Sequence, residues 1–221
     1  MFSKTALTHS CKFLDIKEGS VLGLGTGRTV EALVDVLYEN GKLKLPEKIV
    51  VSSIRTEQFL LEKQVACELV QYASYIDVYI DGVDAINPEW ECLKGKGGAM
   101  TGEKLCLDMS RKFVAIYDKQ KEVAYFNAQS VLPIEVVSWA RSSVARFLVK
   151  LGGRPVLREG KSELGNDIID CYGLSFAKIF SLDRDIAYQP GVVSHGLFVK
   201  HKPDATLVIE GESAVWTQGP K

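Results

Sequence analysis

The chain has 221 residues, with 27 Lys and Arg against 28 Asp and Glu, which gives a formal net charge of −1. That length can form one domain with a sizeable core or two small ones. A near-neutral charge gives no electrostatic reason to expect nucleic acid or a membrane surface as a partner. The five cysteines are scattered and lack CxxC spacing, a pattern typical of a reducing cytosol. No apolar leader and no bilayer-spanning apolar run is evident, so the sequence predicts a cytoplasmic protein.

Short apolar strands alternate with amphipathic helices in the first 130 residues. The predicted strands lie at 20–24, 48–53, 76–80 and 112–117, and the predicted helices at 3–14, behind the glycine turn at 25–29, at 56–63 and at 101–111. This alternation is typical of a doubly wound parallel sheet. Because such sheets bind ligands at the carboxyl ends of their strands, we expect the functional site there.

The pattern changes near residue 132. Predicted strands lie at 132–137, 154–158, 167–172 and 192–198, with predicted helices at 139–151 and 181–188. This order is the βαββαβ layout of a small, ferredoxin-like α+β domain. A last strand at 205–210 can return to the first sheet. We therefore expect a first domain at 1–130 and 205–221, and a smaller domain at 131–204.

A glycine-rich turn, GTGRT at residues 25–29, joins the first strand to an amphipathic helix. Backbone N–H groups of such a turn form an anion site, and Thr26, Arg28 and Thr29 add side-chain donors. The turn therefore predicts a phosphate site. The dinucleotide fingerprint needs a third glycine where Arg28 stands, and the Walker pattern needs a Gly-Lys-Ser/Thr sequence that is missing. A tight structural turn without a ligand is the alternative.

Hydroxyl side chains follow the second strand, where an S-adenosylmethionine-dependent methyltransferase would need an acidic residue to hold a ribose. They are Ser52, Ser53 and Thr56. These side chains can bond to a sugar hydroxyl or phosphate, or they can cap the next helix, and both interpretations stay open. A methyltransferase is therefore less favoured than a protein that binds a sugar phosphate.

Two aspartates, a lysine and a glutamate are concentrated in the stretch DGVDAINPEWECLKGKGGAMTGEK at residues 81–104. They are Asp81, Asp84, Lys94 and Glu103. Asp81 is expected at the carboxyl end of a buried strand, and Glu103 in the first turn of a helix that Thr101 can cap. A helix N-terminus favours negative charge, so Glu103 is a candidate base.

The same stretch allows other interpretations. The carboxylates of Asp81, Asp84 and Glu103 can bind Mg²⁺. Lys94 already supplies a positive charge, however, and the three histidines form no cluster, so we predict no metal. Asp-Gly sequences also form simple turns. The combination with Lys94 and Glu103 behind a buried strand favours a reaction site. Gly98 and Gly102 are expected to bring backbone N–H groups to a developing negative oxygen, and His195 is expected in the core.

Six segments, in order over nearly the whole chain, resemble segments of one known family. They are GLGTGRT at 23–29, DGVD at 81–84, KGKGGAMTGEK at 94–104, LPIEV at 132–136, KLGGRPVLR at 150–158 and PGVVSHGLF at 190–198. The family is ribose-5-phosphate isomerase of type A. The resemblance implies a Rossmann-like domain with a smaller α+β domain, and a cytosolic homo-oligomer. A homodimer with contacts from the smaller domain is expected, and a tetramer is the alternative. It also implies cofactor-free interconversion of ribose 5-phosphate and ribulose 5-phosphate in the non-oxidative pentose phosphate pathway.

The resemblance implies roles for individual residues. Glu103 is the base that moves a proton between two carbons, and Lys94, with N–H groups of the glycine loop, stabilises an enediolate oxygen. Asp81 handles hydroxyl protons, and Asp84 orients the sugar or Lys94. The implied substrate-binding residues are Thr26, Gly27, Arg28, Thr29, Asp81, Gly82, Val83, Asp84, Lys94, Gly95, Lys96, Gly97 and Lys121.

Four positions depart from the residues that are common in this family. The family commonly has Ser at Arg28, Glu at Ala85, Gly at Lys96 and Arg at Gly102. A sugar-phosphate sensor of related fold is the remaining alternative to an enzyme. Such a sensor should carry a DNA-binding segment, which is not predicted here, and could dispense with Glu103.

Overall fold

The computed structural model describes residues 4–219, which form two compact units. Of these residues, 4–83, 102–121 and 203–219 make up the first unit, and 84–101 and 122–202 the second. The strands, in chain order, are β1 (Val21–Leu24), β2 (Lys48–Val51), β3 (Glu68–Leu69), β4 (Val78–Gly82), β5 (Ala85–Ile86), β6 (Cys92–Leu93), β7 (Phe113–Asp118), β8 (Leu132–Val136), β9 (Arg154–Leu157), β10 (Asp167–Tyr172), β11 (Val192–His195), β12 (Leu197–Phe198), β13 (Ala205–Glu210) and β14 (Ser213–Gln218). The α-helices are α1 (Lys4–Ser10), α2 (Arg28–Glu39), α3 (Ile54–Glu62), α4 (Met100–Asp108), α5 (Arg141–Lys150) and α6 (Ile179–Ala187). Within residues 4–219, every helix is too short or too polar to span a membrane.

Seven strands of the first unit form one sheet in the order β14-β13-β7-β4-β1-β2-β3. All neighbouring strands in it are parallel except β13 and β14. The chain moves outward through β2 and β3 on one side of β1, and through β4, β7 and β13 on the other. The winding therefore reverses between β1 and β4, which is where doubly wound sheets bind ligands. The predicted doubly wound sheet is confirmed, and so is its returning strand at 205–210.

Helices α1 and α2 pack with the strands of this sheet in one apolar core. On α2 the buried residues recur at helical spacing, as the sequence predicted. They are Val30, Leu33, Val34, Val36 and Leu37. The opening helix is shorter than the predicted 3–14, because α1 ends at Ser10 and a 3-10 turn, Cys11–Phe13, follows it. Residue 3 of that prediction lies outside the described residues.

The second unit contains a four-stranded sheet in the order β11-β8-β10-β9, with every neighbouring pair antiparallel. Along the chain the elements run β8, α5, β9, β10, α6 and β11. The predicted ferredoxin-like layout is therefore confirmed. Helices α5 and α6 bury apolar side chains such as Leu148 and Ile186 in one core with the strands, which is how a sheet covered by helices excludes water from one face.

The predicted strand at 192–198 is wrong as a single element. β11 ends at His195 and pairs with β8, whereas β12 begins at Leu197 and pairs with β6. Gly196 lies between the two strands and packs closely against Lys94, since a Cβ there would lie 2.2 Å from the carbonyl oxygen of Lys94. β12, β6 and β5 form a three-stranded sheet that the sequence did not predict. His195 is buried, as expected.

Two local predictions in the central stretch are also wrong. β4 covers Val78–Gly82 instead of 76–80, so Asp81 lies within the carboxyl end of the strand instead of directly after it. α4 begins at Met100, so Thr101 lies inside the helix and is not its cap. The Thr101 hydroxyl instead donates to Oε2 of Glu135, a buried carboxylate on β8. A hydrogen bond to a residue distant in the sequence therefore takes the place of the predicted capping hydrogen bond.

Candidate functional site

The glycine turn at residues 25–29 follows β1 directly, where the winding of the first sheet reverses. The N–H of Gly25 donates to the carbonyl of Ile80 on β4 at 2.9 Å. A Cβ on Gly25 would lie 1.9 Å from the carboxylate of Asp81, so only glycine fits this position. The N–H of Thr26 then donates to Oδ1 of Asp81 at 3.3 Å. The predicted turn and the predicted aspartate therefore meet in the structure.

Asp81 is fully buried, with 0% relative exposure. Its Oδ2 accepts the Tyr79 hydroxyl at 2.6 Å, and its Oδ1 accepts the N–H of Gly82 at 2.7 Å. A buried carboxylate is costly unless it is hydrogen-bonded, and these donors meet that need. Burial, and after it the charge of Asp81, raises the pKa of Tyr79 well above its usual value, so the phenol is kept as a donor.

Glu103 lies in the first turn of α4 and is 4% exposed. The carboxylates of Glu103 and Asp81 both affect the pKa values of Cys106 and Tyr79. Burial first, then Asp81 and Glu103, raise the pKa of the Cys106 thiol, and both carboxylates also contribute to the raised pKa of Tyr79. Two carboxylates that influence the same two side chains lie within electrostatic range of one another. The first unit therefore brings the candidate base and Asp81 into one buried region.

The start of α2 carries further predicted binding residues. Gly27 precedes the helix with a φ of 98°, a conformation that favours glycine. Because glycine has no side chain with which to cap the helix, the positive end of α2 is suited to an anion. Arg28 is exposed and Thr29 is partly buried. Lys121 is also partly buried and ends the 3-10 turn Lys119–Lys121 after β7.

Two hydroxyl side chains after β2, those of Ser53 and Thr56, serve the fold of the first unit. Ser53 is the N-cap of α3, because its Oγ accepts the N–H of Thr56 at 3.1 Å. The Thr56 hydroxyl donates to the carbonyl of Gly25 at 2.7 Å and ties α3 to the glycine turn. Capping is therefore confirmed as the role of Ser53. A Cβ on Gly102 would lie 2.1 Å from the carbonyl oxygen of Ser52, so this glycine permits close packing instead of the expected approach to a ligand.

Lys94 follows β6 in the second unit and is 4% exposed. Its N–H donates to the carbonyl of Gly196 at 2.9 Å, which fixes its backbone beside β12. Its ammonium lies 5.5 Å from the centre of the Phe198 ring, and an aromatic face attracts a cation. Lys94 therefore provides a fixed positive charge in a poorly solvated place, where its interaction with a negative oxygen is strong.

Residues 95–98 form a tight turn in which the N–H of Gly98 donates to the carbonyl of Gly95 at 3.1 Å. This donor is used inside the turn, so the expectation that Gly98 presents its N–H to a ligand is wrong. Both ends have positive φ, 102° at Gly95 and 76° at Gly98, whereas the exposed Lys96 between them does not. Lys96 therefore fits without strain. Its N–H donates to Oδ2 of Asp84 at 2.9 Å, which joins two predicted site residues.

Glu135 and Arg158, whose roles the sequence did not predict, support this turn and the start of α4. The buried carboxylate of Glu135 accepts hydrogen bonds from the hydroxyls of Thr101 and Ser162 and from the Asn166 amide. Arg158 donates to backbone carbonyls of the glycine turn. A charged residue inside an apolar strand, as in LPIEV, signals a buried and hydrogen-bonded group. The pattern does not name the partners, which come from distant segments.

The predicted site residues fall into two groups, each within one unit. The first contains Thr26, Gly27, Arg28, Thr29, Asp81, Gly82, Val83, Glu103 and Lys121, and the second contains Asp84, Lys94, Gly95, Lys96 and Gly97. The first group brings together carboxylates and an anion-binding turn. The second brings together a lysine and a turn rich in backbone N–H groups. Among residues 4–219, no three His, Cys, Asp or Glu side chains are arranged to hold a metal ion.

Fold and site together define an α/β protein with buried carboxylates where a parallel sheet reverses its winding, beside a turn suited to phosphate. Such an arrangement is typical of proteins that act on phosphorylated metabolites. Residues 48–213 match the family model described as Ribose 5-phosphate isomerase A (phosphoriboisomerase A). The chain belongs to this family.

Individual relatives agree with the family match. "Ribose-5-phosphate isomerase A" of Pasteurella multocida (strain Pm70) is 35% identical over 201 residues, which cover 90% of each chain. The crystal structure of ribose 5 phosphate isomerase A from Neisseria gonorrhoeae has a TM-score of 0.90 at 30% identity and covers 99% of this chain and 96% of that one. A D-ribose-5-phosphate isomerase in complex with phospho-erythronic acid has a TM-score of 0.87 at 27% identity, with 98% and 97% covered. The predicted fold class and the family resemblance are confirmed.

Proposed function

We propose that this chain is an aldose-ketose isomerase that interconverts D-ribose 5-phosphate and D-ribulose 5-phosphate in the pentose phosphate pathway. The observation that carries the proposal is the pair of buried carboxylates in the first unit, Glu103 in the first turn of α4 and Asp81, which contacts the glycine turn. Moving a carbonyl between neighbouring carbons requires a base for a carbon-bound proton and a second group for hydroxyl protons. Membership of the isomerase family supports the same reaction.

Glu103 is the proposed base. From ribose 5-phosphate it removes the proton on C2, and the electron pair left on C2 forms a C1–C2 double bond while the C1 oxygen becomes an enediolate oxygen. The proton of the C2 hydroxyl passes to the C1 oxygen, and the same glutamic acid returns its own proton to C1. The product has a hydroxyl on C1 and the carbonyl on C2. The position of Glu103 in the first turn of α4 favours its charged form before the first transfer. A positioned base of this kind contributes about 10²- to 10⁴-fold in rate.

Lys94 is the proposed electrostatic partner of the enediolate. Its ammonium is buried and fixed, so little rearrangement is needed when negative charge develops on the substrate oxygen. A backbone N–H of the turn at 95–98 is the natural complement, since it adds a donor without adding a competing charge. The N–H groups of Lys96 and Gly98 already donate to Asp84 and Gly95, so this role falls to another N–H of the turn. Asp84, which accepts the N–H of Lys96, orients the turn and the sugar.

Asp81 is proposed to handle the hydroxyl protons, including those that move when the sugar ring opens. The glycine turn from Thr26 to Thr29 and the start of α2 are proposed to bind the phosphate. Lys121 is proposed to contact the substrate as well. A phosphate held at one end of the sugar fixes the distant carbons relative to the base, which lowers the entropic part of the barrier.

Several features of the family remain proposals for this chain. We propose that it works without a cofactor or a metal, acts in the cytoplasm and forms a homodimer. The smaller domain, predicted at 131–204, is proposed to contribute the contacts between subunits. The division into 1–130 with 205–221 and 131–204 is a prediction about folding domains that limited proteolysis of the chain can test.

A sugar-phosphate sensor and a methyltransferase are the alternative functions. A sugar-phosphate sensor would need to bind but not to turn over, and it would have no use for a second buried carboxylate such as Glu103, whose burial carries a desolvation cost. A methyltransferase would need an acid after β2, but Ser53 stands there and caps α3. The isomerase is therefore favoured over both.

Formation of ribulose 5-phosphate from ribose 5-phosphate by the purified chain tests the proposed function. The assay contains a chelator and no added cofactor, and unphosphorylated ribose serves as the matched control substrate. We expect turnover of the phosphate ester and a much lower kcat/KM for ribose, because the phosphate positions the reacting carbons. Binding of ribose 5-phosphate without any product would favour the sensor instead.

Inhibition gives a second test of the same proposal. Phospho-erythronic acid is bound in the structure of one relative. It combines a phosphate with a carboxylate, and a planar carboxylate has the shape and charge of an enediolate end. We expect competitive inhibition of this chain by phospho-erythronic acid, with tighter binding than that of ribose 5-phosphate.

A further inference from the structure

Arg158 directly follows β9 and reaches the glycine turn at 95–98. Its guanidinium is held along one edge by Asp170 on β10, with Nε donating to Oδ2 at 2.8 Å and Nη2 donating to Oδ1. This two-point contact fixes the plane of the guanidinium. The remaining nitrogen, Nη1, donates to the carbonyl oxygens of Gly95 at 3.0 Å and Lys96 at 3.1 Å. One arginine therefore holds two successive carbonyls of the turn.

The direction of the N–H groups in the turn follows from these contacts. In a trans peptide unit the C=O and the N–H point in opposite directions, and none of the described peptide bonds is cis. The Gly95 carbonyl faces Arg158, and the N–H of the same unit, on Lys96, points away and donates to Asp84. The Lys96 carbonyl also faces Arg158. The N–H of that unit, on Gly97, therefore points away from the guanidinium too.

We propose that Arg158 is a positioning residue for the isomerase reaction, because it holds the turn so that the N–H of Gly97 is aimed at the enediolate oxygen. This inference rests on the proposed function. Consecutive N–H groups on one side of a turn bind anions, and donors fixed before the reaction stabilise the transition state more than the substrate. Asp170 acts through Arg158 by fixing the orientation of its guanidinium.

Lysine cannot replace this arginine. A lysine ammonium is a point charge with no planar fork, so it cannot pair with Asp170 along one edge and also hold two carbonyls with a separate nitrogen. Arg158→Lys should therefore recover only a small part of what Arg158→Ala loses. Asp170→Asn should have a smaller effect than Arg158→Ala, because the guanidinium keeps its contacts to the two carbonyls.

The test compares Arg158→Ala with Arg154→Ala as the matched control. Arg154 begins β9, is exposed and lies over the Tyr172 ring at 5.5 Å. We expect Arg158→Ala to lower kcat by about 10- to 100-fold with KM changed less than about threefold, since one oriented donor acts mainly on the transition state. Amide hydrogen exchange in the peptide that covers 95–98 should accelerate, and added guanidinium ion should restore part of kcat. Arg154→Ala should change none of these quantities.

The outcomes separate this inference from the proposed function. If the wild-type chain turns over substrate and Arg158→Ala has the same kcat per folded molecule, the inference about Arg158 is overturned and the proposed function stands. The inference is also overturned if Arg158→Ala lowers the melting temperature without changing the rate of amide hydrogen exchange at 95–98. That combination indicates that Arg158 has a purely structural role. An absence of turnover in the wild-type chain overturns the proposed function, and the inference falls with it.

Discussion

Tyr79 and Asp81 lie two residues apart on β4, and the Tyr79 hydroxyl donates a 2.6 Å hydrogen bond to Oδ2 of Asp81. Successive side chains of a strand alternate between faces, so this spacing places both on the same side of the sheet. Both side chains are fully buried. The phenol therefore takes the place of water as a donor to the carboxylate that is proposed to handle hydroxyl protons.

Replacing Tyr79 by Phe keeps the ring and removes this donor. We expect the free energy of unfolding to fall by about 1–3 kcal/mol, because a buried charged group loses a hydrogen bond. We also expect kcat to fall, since the orientation of Asp81 is less restricted. Denaturant unfolding and steady-state kinetics measure the two effects.

Tyr38→Phe is the matched control for that change, because Tyr38 is 47% exposed. Its hydroxyl is expected to contribute little to stability or turnover. Equal stabilities for Tyr79→Phe and the wild type would contradict the role assigned to the phenol.

Lys94 provides the second prediction. Lys94→Ala should lower kcat by about 10²- to 10³-fold, the loss typical of one oxyanion donor, and should change KM much less. The reason is that the charge is needed most when the enediolate forms. Lys150→Ala, at the exposed end of α5, is the control for removing a lysine charge. A rise in KM with unchanged kcat would mean that Lys94 only binds substrate.

Regular elements were predictable from the sequence because their patterns are local. The apolar spacing of α2 and the strand–helix order from β8 to β11 follow directly from residue periodicity. The glycine turn and Asp81 were found because a buried strand ends in recognisable turn residues. Glu103 was found because a helix start favours a carboxylate.

Other parts of the site depend on distant segments and were missed or wrong. β5, β6 and β12 have two residues each, too few for a periodic signal, and their pairing requires Gly196 to approach Lys94. Thr101 was predicted to cap a helix, but its hydroxyl donates a hydrogen bond to the buried Glu135 on β8. Arg158 donates hydrogen bonds to the turn at 95–98, which lies more than fifty residues away in the sequence. No local pattern in the sequence predicts such a contact.

Asp167, at the start of β10, gives a prediction about pH. Hydrogen bonds from Lys161 and Ser138 lower the pKa of Asp167, and Arg141 adds an ion pair at 3.0 Å. An unfolded aspartate has a pKa of about 3.9. Because the folded pKa is lower, the stabilisation is fully present above about pH 5 and is lost as pH falls through the unfolded and then the folded value.

Asp167→Asn should therefore destabilise the protein at pH 7, and the gap to the wild type should narrow between about pH 5 and pH 3. Thermal unfolding of both proteins across this pH range measures the difference in stability. Asp108→Asn, an exposed position at the end of α4, serves as the control and should show no such narrowing. A gap that stays constant down to about pH 3 would contradict the assigned ion pairs.

The most direct measurement is the rate of ribulose 5-phosphate formation by Glu103→Gln, together with its affinity for ribose 5-phosphate. The amide keeps the size of the side chain but cannot accept the C2 proton, so we predict a fall in kcat of about 10²- to 10⁴-fold with affinity close to that of the wild type. Glu62→Gln, at the exposed end of α3, should have the wild-type rate. A wild-type rate in Glu103→Gln would contradict the account, because the proton would then be carried by another group.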